Sequence, residues 1–130
     1  MNSFQCLAAP LPPSAPDVID WSERHMNIKW KEPLDDGGAP VTAYHVEAKA
    51  RGDEEWQLWE TVDTNTPSAT MQKLQAGREY QFRVIAINKA GRSEPSHPSR
   101  SKEARAQNCK SLYHYIGIVL KIIYQKSKFP

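Results

Sequence analysis

The amino-acid sequence predicts an all-β protein, a seven-stranded antiparallel sandwich of two sheets. Apolar residues recur at every second position in segments 25–30, 42–49 and 79–88, and this period is typical of strands with one buried face. Turn sequences rich in Gly, Asn and Asp separate the segments, and no window before residue 107 carries the apolar stripe of a helix. Short strands at this spacing within about 95 residues are typical of an antiparallel sandwich.

The predicted elements follow in chain order. Residues 8–16 are punctuated by prolines and are expected to form an extended entry segment. Seven strands are predicted at 17–21, 25–30, 42–49, 56–62, 69–74, 79–88 and 99–106. The last is rich in Arg, Lys and Ser, and charge on an edge strand opposes pairing with other chains.

The chain of 130 residues is long enough for one ordinary domain. We expect this domain at 12–107, between an irregular N-terminal extension at 1–11 and a basic, apolar tail at 108–130. The tail holds four lysines and no acid, whereas the first 107 residues contain 13 basic and 15 acidic residues, which gives the whole chain a net charge of +2. Because the body has no excess of positive charge, we expect no nucleic-acid partner.

The tail has two interpretations. Its density of Tyr, Ile and Val, with Lys121 inside the apolar run, fits an interaction element, either an added strand or a membrane-surface segment. Alternatively the chain is a fragment, a splice product or a gene-model error with a non-native end, which we prefer because an exposed β-rich run promotes aggregation. The run 112–124 is shorter than the roughly 20 residues of a spanning helix, and we expect no membrane contact.

Cysteine usage favours a reducing, cytoplasmic location. Cys6 and Cys109 lie near opposite ends, and no Asn-x-Ser/Thr sequon is present. Seven strands place the two ends of a sandwich roughly 25–30 Å apart, whereas a disulfide needs Cα atoms within about 7 Å. We therefore expect Cys6 and Cys109 not to form a disulfide with each other.

No catalytic or ligand-binding constellation is visible. The four histidines are scattered, and no Cys/His pair has metal-ligand spacing. No glycine-rich phosphate loop or nucleophile elbow occurs, and the paired carboxylates lie in predicted turns. We expect no enzymatic activity, no cofactor, no metal and no small-molecule substrate.

Several residues stand at spacings that are more specific than a generic sandwich requires. Trp30 ends the second predicted strand, and Asp36-Gly37-Gly38 precedes the third. This pattern resembles a fibronectin type III domain with an immunoglobulin-like fold, over residues 12–107, and it is similar to the modules of giant sarcomeric proteins of the titin and twitchin type. The matching framework residues are Trp30, Pro33, Gly37, Gly38, Tyr44, Val46, Trp56, Leu74, Gly77, Tyr80, Phe82, Val84, Ala86, Asn88 and Gly91.

The framework residues have physical roles that do not depend on the family. Trp30 is large enough to fill the space between two sheets. Tyr80 follows Leu74 by six residues, the arrangement of a tyrosine corner, and Gly77 supplies the positive φ of that reversal. Turn roles are predicted for Gly37, Gly38, Asn88 and Gly91.

Arg51-Gly52-Asp53 has two interpretations. The tripeptide is the integrin-binding sequence of fibronectin, which makes it a candidate adhesion site. It falls between the third strand and Trp56, however, where a glycine-containing turn is expected, and two glutamates follow it. We prefer the turn.

Ile85 and Ile87 lie on the outward phase of the long strand. Flanking Lys and Arg side chains can cover such residues, which is the interpretation we prefer. Alternatively the pair forms a contact patch for a partner protein.

The resemblance implies a non-catalytic structural and protein-binding module from an intracellular muscle protein that organises the sarcomere. Its implied partners are neighbouring immunoglobulin and fibronectin type III modules and thick-filament proteins. The alternative is an extracellular fibronectin type III module of a cell-adhesion molecule or receptor.

Overall fold

A computed structural model describes residues 6–106, 119–121 and 123, and its strands form two antiparallel sheets. The first sheet has the order β1-β2-β5, and the second has the order β4-β3-β6 with both β7 and β8 paired to β6. The predicted all-β sandwich is confirmed. The strands are β1 (Asp17–Trp21), β2 (Met26–Lys29), β3 (Ala43–Ala50), β4 (Gln57–Val62), β5 (Ser68–Met71), β6 (Glu79–Asn88), β7 (Gly91–Arg92) and β8 (Lys102–Glu103).

The core lies between the sheets and is built from alternate positions of the strands. Period two places every second side chain on the inner face, and each such side chain contributes about 1.5–3 kcal/mol when it is fully buried. The indole of Trp30 packs edge-on against Tyr44, with ring centroids 5.1 Å apart. The largest side chains that are completely buried are Tyr44, Tyr80, Phe82, Met26, Ile28, Met71, Leu74, Val46 and Val84.

The pairing of β3 with β6 forms the centre of the larger sheet. It extends without a register shift from Ala43, opposite Ile87, to Ala50, opposite Tyr80. On the other side of β3, the pairing with β4 is interrupted by a bulge at Val46. This long regular pair is therefore the centre of the sheet from which the neighbouring loops extend.

The segment predicted as the last strand, 99–106, is strand only at Lys102–Glu103. Instead, the chain between β7 and β8 follows the edge of β6 opposite β3, and three serines spaced by three residues hold it there. Ser93, Ser96 and Ser99 each donate a backbone N–H to a β6 carbonyl at 2.8 Å. Their hydroxyls each accept the backbone N–H of the same β6 residue at 2.9–3.0 Å, and the partners are Ala86, Val84 and Phe82.

Proline explains this period of three. Pro95 and Pro98 have no N–H to donate to a ladder, and their fixed φ favours an extended helix with three residues per turn. Each serine hydroxyl also donates to the carbonyl of the next residue, at 2.8–3.1 Å. The three buried hydroxyls are thus fully satisfied, and the edge is held without a regular strand.

The chain enters and leaves the sandwich at opposite ends of β6. At the entry end, the side chain of Asn88, the last residue of β6, donates to the carbonyl of Ala8 at 2.8 Å. At the exit end, Ala104 donates to the carbonyl of Arg78, immediately before β6, at 2.9 Å. A strand of this length measures about 30 Å, so the two ends of the module face away from each other.

Little of the predicted tail is described. Residues 119–121 and 123 are helical, and the apolar side chains of Val119, Leu120 and Ile123 are exposed. The remainder of the tail and Cys109 lie outside the described residues, whereas Cys6 is exposed as a free thiol. Within the part of the chain that the structure covers, no helix has the length and apolar character needed to cross a membrane.

Candidate protein-interaction surfaces

Most of the framework residues are in the core and are not available to a partner. Nine of them are at most 5% exposed: Trp30, Tyr44, Val46, Leu74, Tyr80, Phe82, Val84, Ala86 and Asn88. They position the loops but cannot contact another protein directly. A binding surface therefore has to be found among the turns, the outer sheet faces and the chain ends.

Tyr80 ties the turn before β6 to the core. Its hydroxyl accepts the backbone N–H of Gln75 at 2.9 Å, which is the hydrogen bond of a tyrosine corner. The reversal contains Gly77 with a φ of 87°, in the left-handed region that favours glycine. The role of this corner is structural.

Tyr44 is buried in a different environment from Tyr80. Its hydroxyl and the indole N–H of Trp30 have no hydrogen-bond partner among the residues that the structure describes. Burial, together with the negative charge of Glu32, raises the pKa of Tyr44 above its ordinary value of 10.0. The indole N–H of Trp30 beside this hydroxyl partly offsets the rise in the pKa, although the two groups do not reach hydrogen-bond geometry.

Trp56 lies on the outer face of the larger sheet rather than in the core. The guanidinium of Arg83 sits 4.5 Å from the ring centroid, in cation–π geometry, and Arg83 also pairs with Glu47 at 2.7 Å. The ammonium of Lys49 is 5.9 Å from the same ring. These interactions cover the ring and leave the face predominantly charged.

The Arg51-Gly52-Asp53 turn connects β3 to β4, and both of its charged residues are paired within the module. Asp53 accepts the N–H of Ala50 at 3.2 Å and pairs with Arg78 at 3.2 Å. Arg51 is 83% exposed but pairs with Glu79 at 2.8 Å; this hydrogen bond and the charge of Glu79 raise the pKa of Arg51. The carboxylate of Asp53 therefore stabilises the turn through contacts within the module.

Ile85 does not belong to an exposed patch. It lies on the side of β6 opposite the core, as the alternation predicts, but only 4% of it is exposed. Ile87 is half-buried. This burial favours the interpretation that neighbouring side chains cover the two residues, and the alternative of a partner patch stays a prediction.

The exposed apolar residues that do cluster lie at the end where the chain enters, which we call the entry pole. Leu34 is completely exposed, and Leu7 and Leu11 are 43% and 52% exposed. The backbone N–H of Leu11 donates to the carbonyl of Asp35 at 2.9 Å, which brings Leu11 and the loop carrying Leu34 together.

The entry pole is also acidic. A cleft of about 390 Å³ beside Leu34 is lined in part by Glu32, Asp35 and Asp36. Exposed leucines next to carboxylates form a surface suited to an apolar and basic partner. The entry pole was not predicted from the sequence because its leucines lie in irregular segments, where periodicity gives no signal.

The described part of the chain contains no group of three or more His, Cys, Asp or Glu residues that could hold a metal ion. The clefts are shallow and open to solvent. The geometry offers protein contact surfaces and braced turns, with no assembled set of reactive groups in the portion that we see.

Comparison with known proteins identifies the family. The model of the fibronectin type III domain matches residues 11–102. Human fast-type myosin-binding protein C is 36% identical over 95 residues, which is 72% of this chain and 8% of that protein. Human contactin-3 is also 36% identical, over 103 residues, covering 74% of this chain and 10% of that protein. The chain therefore spans about a tenth or less of these relatives.

Solved structures agree with this family. A crystal structure of titin domains A168–A170 superposes with a TM-score of 0.71 at 38% identity, over 75% of this chain and 32% of that chain. The kinase region of twitchin from C. elegans superposes with a TM-score of 0.71 at 30% identity, over 76% of this chain and 17% of that chain. The chain therefore belongs to the fibronectin type III family.

Proposed function

We propose that this chain is a non-catalytic structural and protein-binding module of an intracellular, titin- or twitchin-like muscle protein that organises the sarcomere. The observation that carries the proposal is that the chain enters the sandwich near Ala8 and leaves it near Ala104, at opposite poles, because such a module can be joined head to tail. Similarity to fast-type myosin-binding protein C and to titin supports the muscle assignment.

The entry pole is the surface on which we place protein binding. Its leucines are exposed whereas most of the large framework side chains are buried, so the leucines are the apolar side chains available to a partner. Hydrophobic contacts at the centre of an interface supply most of its binding energy, and surrounding charges select the partner. The partners we propose are thick-filament proteins and neighbouring immunoglobulin or fibronectin type III modules.

Co-sedimentation with purified thick filaments tests the proposal. We expect the full chain to pellet with the filaments and Leu34→Ser to weaken this binding by at least about threefold. Leu58→Ser is the matched control, because Leu58 is a 56% exposed leucine on β4, and it should leave binding unchanged. Pelleting no greater than in the absence of filaments would contradict the muscle assignment.

The alternative is an extracellular module of an adhesion molecule or receptor, with a cell surface rather than a thick filament as its location. Similarity to contactin-3 favours it. Cell attachment that is lost in Asp53→Glu but kept in Asp63→Glu would support the alternative, since both are aspartates in loops and only Asp53 belongs to the Arg-Gly-Asp turn. The full-length transcript gives an independent answer: neighbouring immunoglobulin modules and a kinase indicate muscle, and a signal peptide with a spanning helix indicates the surface.

A further inference from the structure

Residues 7–14, which we call the entry arm, are hydrogen-bonded to the loop between β2 and β3 over their whole length. The bonds recur at every third residue of the arm and include backbone and side-chain groups, so the arm is fixed at more than one point. They join the N–H of Ala8 to the carbonyl of Gly37 (2.9 Å), the N–H of Leu11 to that of Asp35 (2.9 Å), the N–H of Ser14 to that of Lys31 (3.2 Å), and the N–H of Lys31 to the hydroxyl of Ser14 (2.8 Å).

Asn88 joins this arm to the central sheet. Its side-chain NH₂ donates to the carbonyls of Ala8 and Asp36, at 2.8 and 2.7 Å. Its side-chain oxygen accepts the N–H groups of Ala90 and Gly91 in the following turn, at 2.8 and 3.0 Å. Asn88 is only 4% exposed, so these bonds are shielded from water and are stronger than surface contacts.

Gly37 provides the space that the arm occupies. Its φ is 79°, and a Cβ atom at this position would lie 2.1 Å from the carbonyl oxygen of Ala8. That distance is far inside van der Waals contact, and the obstructing atom is backbone. The loop and the arm therefore fit together only when residue 37 has no side chain.

We propose that the entry arm is a rigid connector that belongs to the folded module and fixes the direction in which the preceding chain leaves it. Ala8 and Leu11 fall in the irregular extension expected from the sequence, yet each donates a backbone hydrogen bond to the loop between β2 and β3. If the module stands in a multi-module protein, as proposed above, the arm and not a free hinge sets the orientation of the preceding neighbour. Only this last consequence rests on the proposed function.

Amide hydrogen exchange of the full chain tests the arm directly. We expect the Ala8 and Leu11 amides to exchange at least about 100-fold more slowly than in an unstructured peptide, since each is hydrogen-bonded in the folded state. Exchange of both amides at the free-peptide rate would overturn the proposal. No variant is needed for this measurement.

A pair of glycine variants identifies the cause. Gly37→Ala should abolish the protection of the Ala8 and Leu11 amides from hydrogen exchange, while the amide of Val84 in β6 should remain protected. Gly52→Ala is the matched control, because Gly52 also has a positive φ (95°) but nothing lies within 4 Å of a Cβ there, and it should leave the arm protected. Protection of the arm in folded Gly37→Ala would overturn the proposal.

A nitroxide label on Cys6 measures how strongly the entry arm restricts the motion of the residue before it, and this measurement does not require any glycine variant to fold. In full-length Cys109→Ser, the label has a single attachment site one residue before the arm. We expect a motionally restricted spectrum for this protein and a mobile one when residues 7–14 are replaced by a Gly/Ser sequence. A mobile spectrum in both would overturn the proposal, whereas failure to bind thick filaments would leave it intact and affect only the proposed function.

Discussion

The two buried tyrosines provide a matched test of how this module uses its hydrogen bonds. Tyr80→Phe and Tyr44→Phe remove the same atom from two buried rings on β6 and β3, which are neighbouring strands of one sheet. The hydroxyl of Tyr80 accepts a hydrogen bond from the N–H of Gln75, whereas that of Tyr44 has no partner in the described structure. The two substitutions should therefore change stability in different directions.

The magnitudes follow from what each substitution leaves behind. Tyr80→Phe leaves a half-shielded backbone N–H without its acceptor and should cost about 1.5 kcal/mol. Tyr44→Phe removes a hydroxyl that lost its hydration without compensation, and the variant should be unchanged or about 0.5–1 kcal/mol more stable. For a domain of this size, 1 kcal/mol shifts Tm by about 4–8 °C.

Thermal and urea unfolding of the full chain at neutral pH measure both changes. We expect Tyr80→Phe to melt roughly 6–12 °C below the original protein and Tyr44→Phe to melt at or above it. Equal destabilisation by the two substitutions would show that the hydroxyls act alike and would refute the assignment of a tyrosine corner to Tyr80 alone.

Three further predictions test other parts of the structure. Ser96→Ala should cost about 2 kcal/mol because it leaves the buried N–H of Val84 unpaired, whereas exposed Ser101→Ala should stay within about 0.5 kcal/mol in the same urea titration. Gly77→Ala should cost about 1 kcal/mol from the positive φ alone, and calorimetry showing no loss would contradict this backbone geometry. Because the pKa of Tyr44 is raised in the folded protein, the unfolded chain releases the hydroxyl proton at a lower pH than the folded one. The free energy of unfolding should therefore be unaffected below about pH 10 and should fall as the pH rises further. If Tyr44→Phe shows the same fall of stability with alkaline pH as the original protein, this linkage is refuted.

The core was predictable from the sequence because the alternation of apolar and polar residues along a strand indicates which side chains are buried. In 25–30, 42–49 and 79–88 the apolar phase is the phase that the structure buries, and Trp30 lies between the sheets as expected. Gly77 could likewise be assigned a positive φ, since its position in the turn before Tyr80 leaves few alternatives. These features are local in sequence, which is why a single chain displays them.

The edge of β6 was not predictable from a period of two. Ser93, Ser96 and Ser99 repeat every three residues, and prolines interrupt the segment, so alternation assigns 93–98 to no strand and places Ser99 only at the start of the last predicted strand. The signal was nevertheless present, since serine at every third position between prolines fits a three-fold extended helix with one face against a partner. Its hydroxyls replace ladder bonds that the prolines cannot make.

The extended course of 8–16 was predicted from its prolines, but the hydrogen bonds that fix the entry arm to the loop between β2 and β3 were not. Ala8 and Gly37 are far apart in sequence, and their contact depends on Asn88, which is farther still. Burial of Ile85 is also a tertiary effect, because the alternation of β6 assigns it to the outer face and cannot tell what covers that face. Long-range contacts of this kind leave no periodic pattern in one sequence.

Substitutions of buried framework residues and of exposed residues at the entry pole test different properties, and only the second kind informs on function. Fast-type myosin-binding protein C and contactin-3 match this chain at the same identity, 36%. Since Tyr80 and its buried neighbours are what a sandwich of this family needs in order to fold, substituting them changes stability in a muscle protein and in an adhesion protein alike. Leu34 is completely exposed and contributes nothing to the core, so Leu34→Ser should leave unfolding within about 0.5 kcal/mol of the original. A loss of filament binding in this variant, with unfolding unchanged, is therefore evidence about the partner rather than the fold, and unchanged binding would remove the entry pole from the interface.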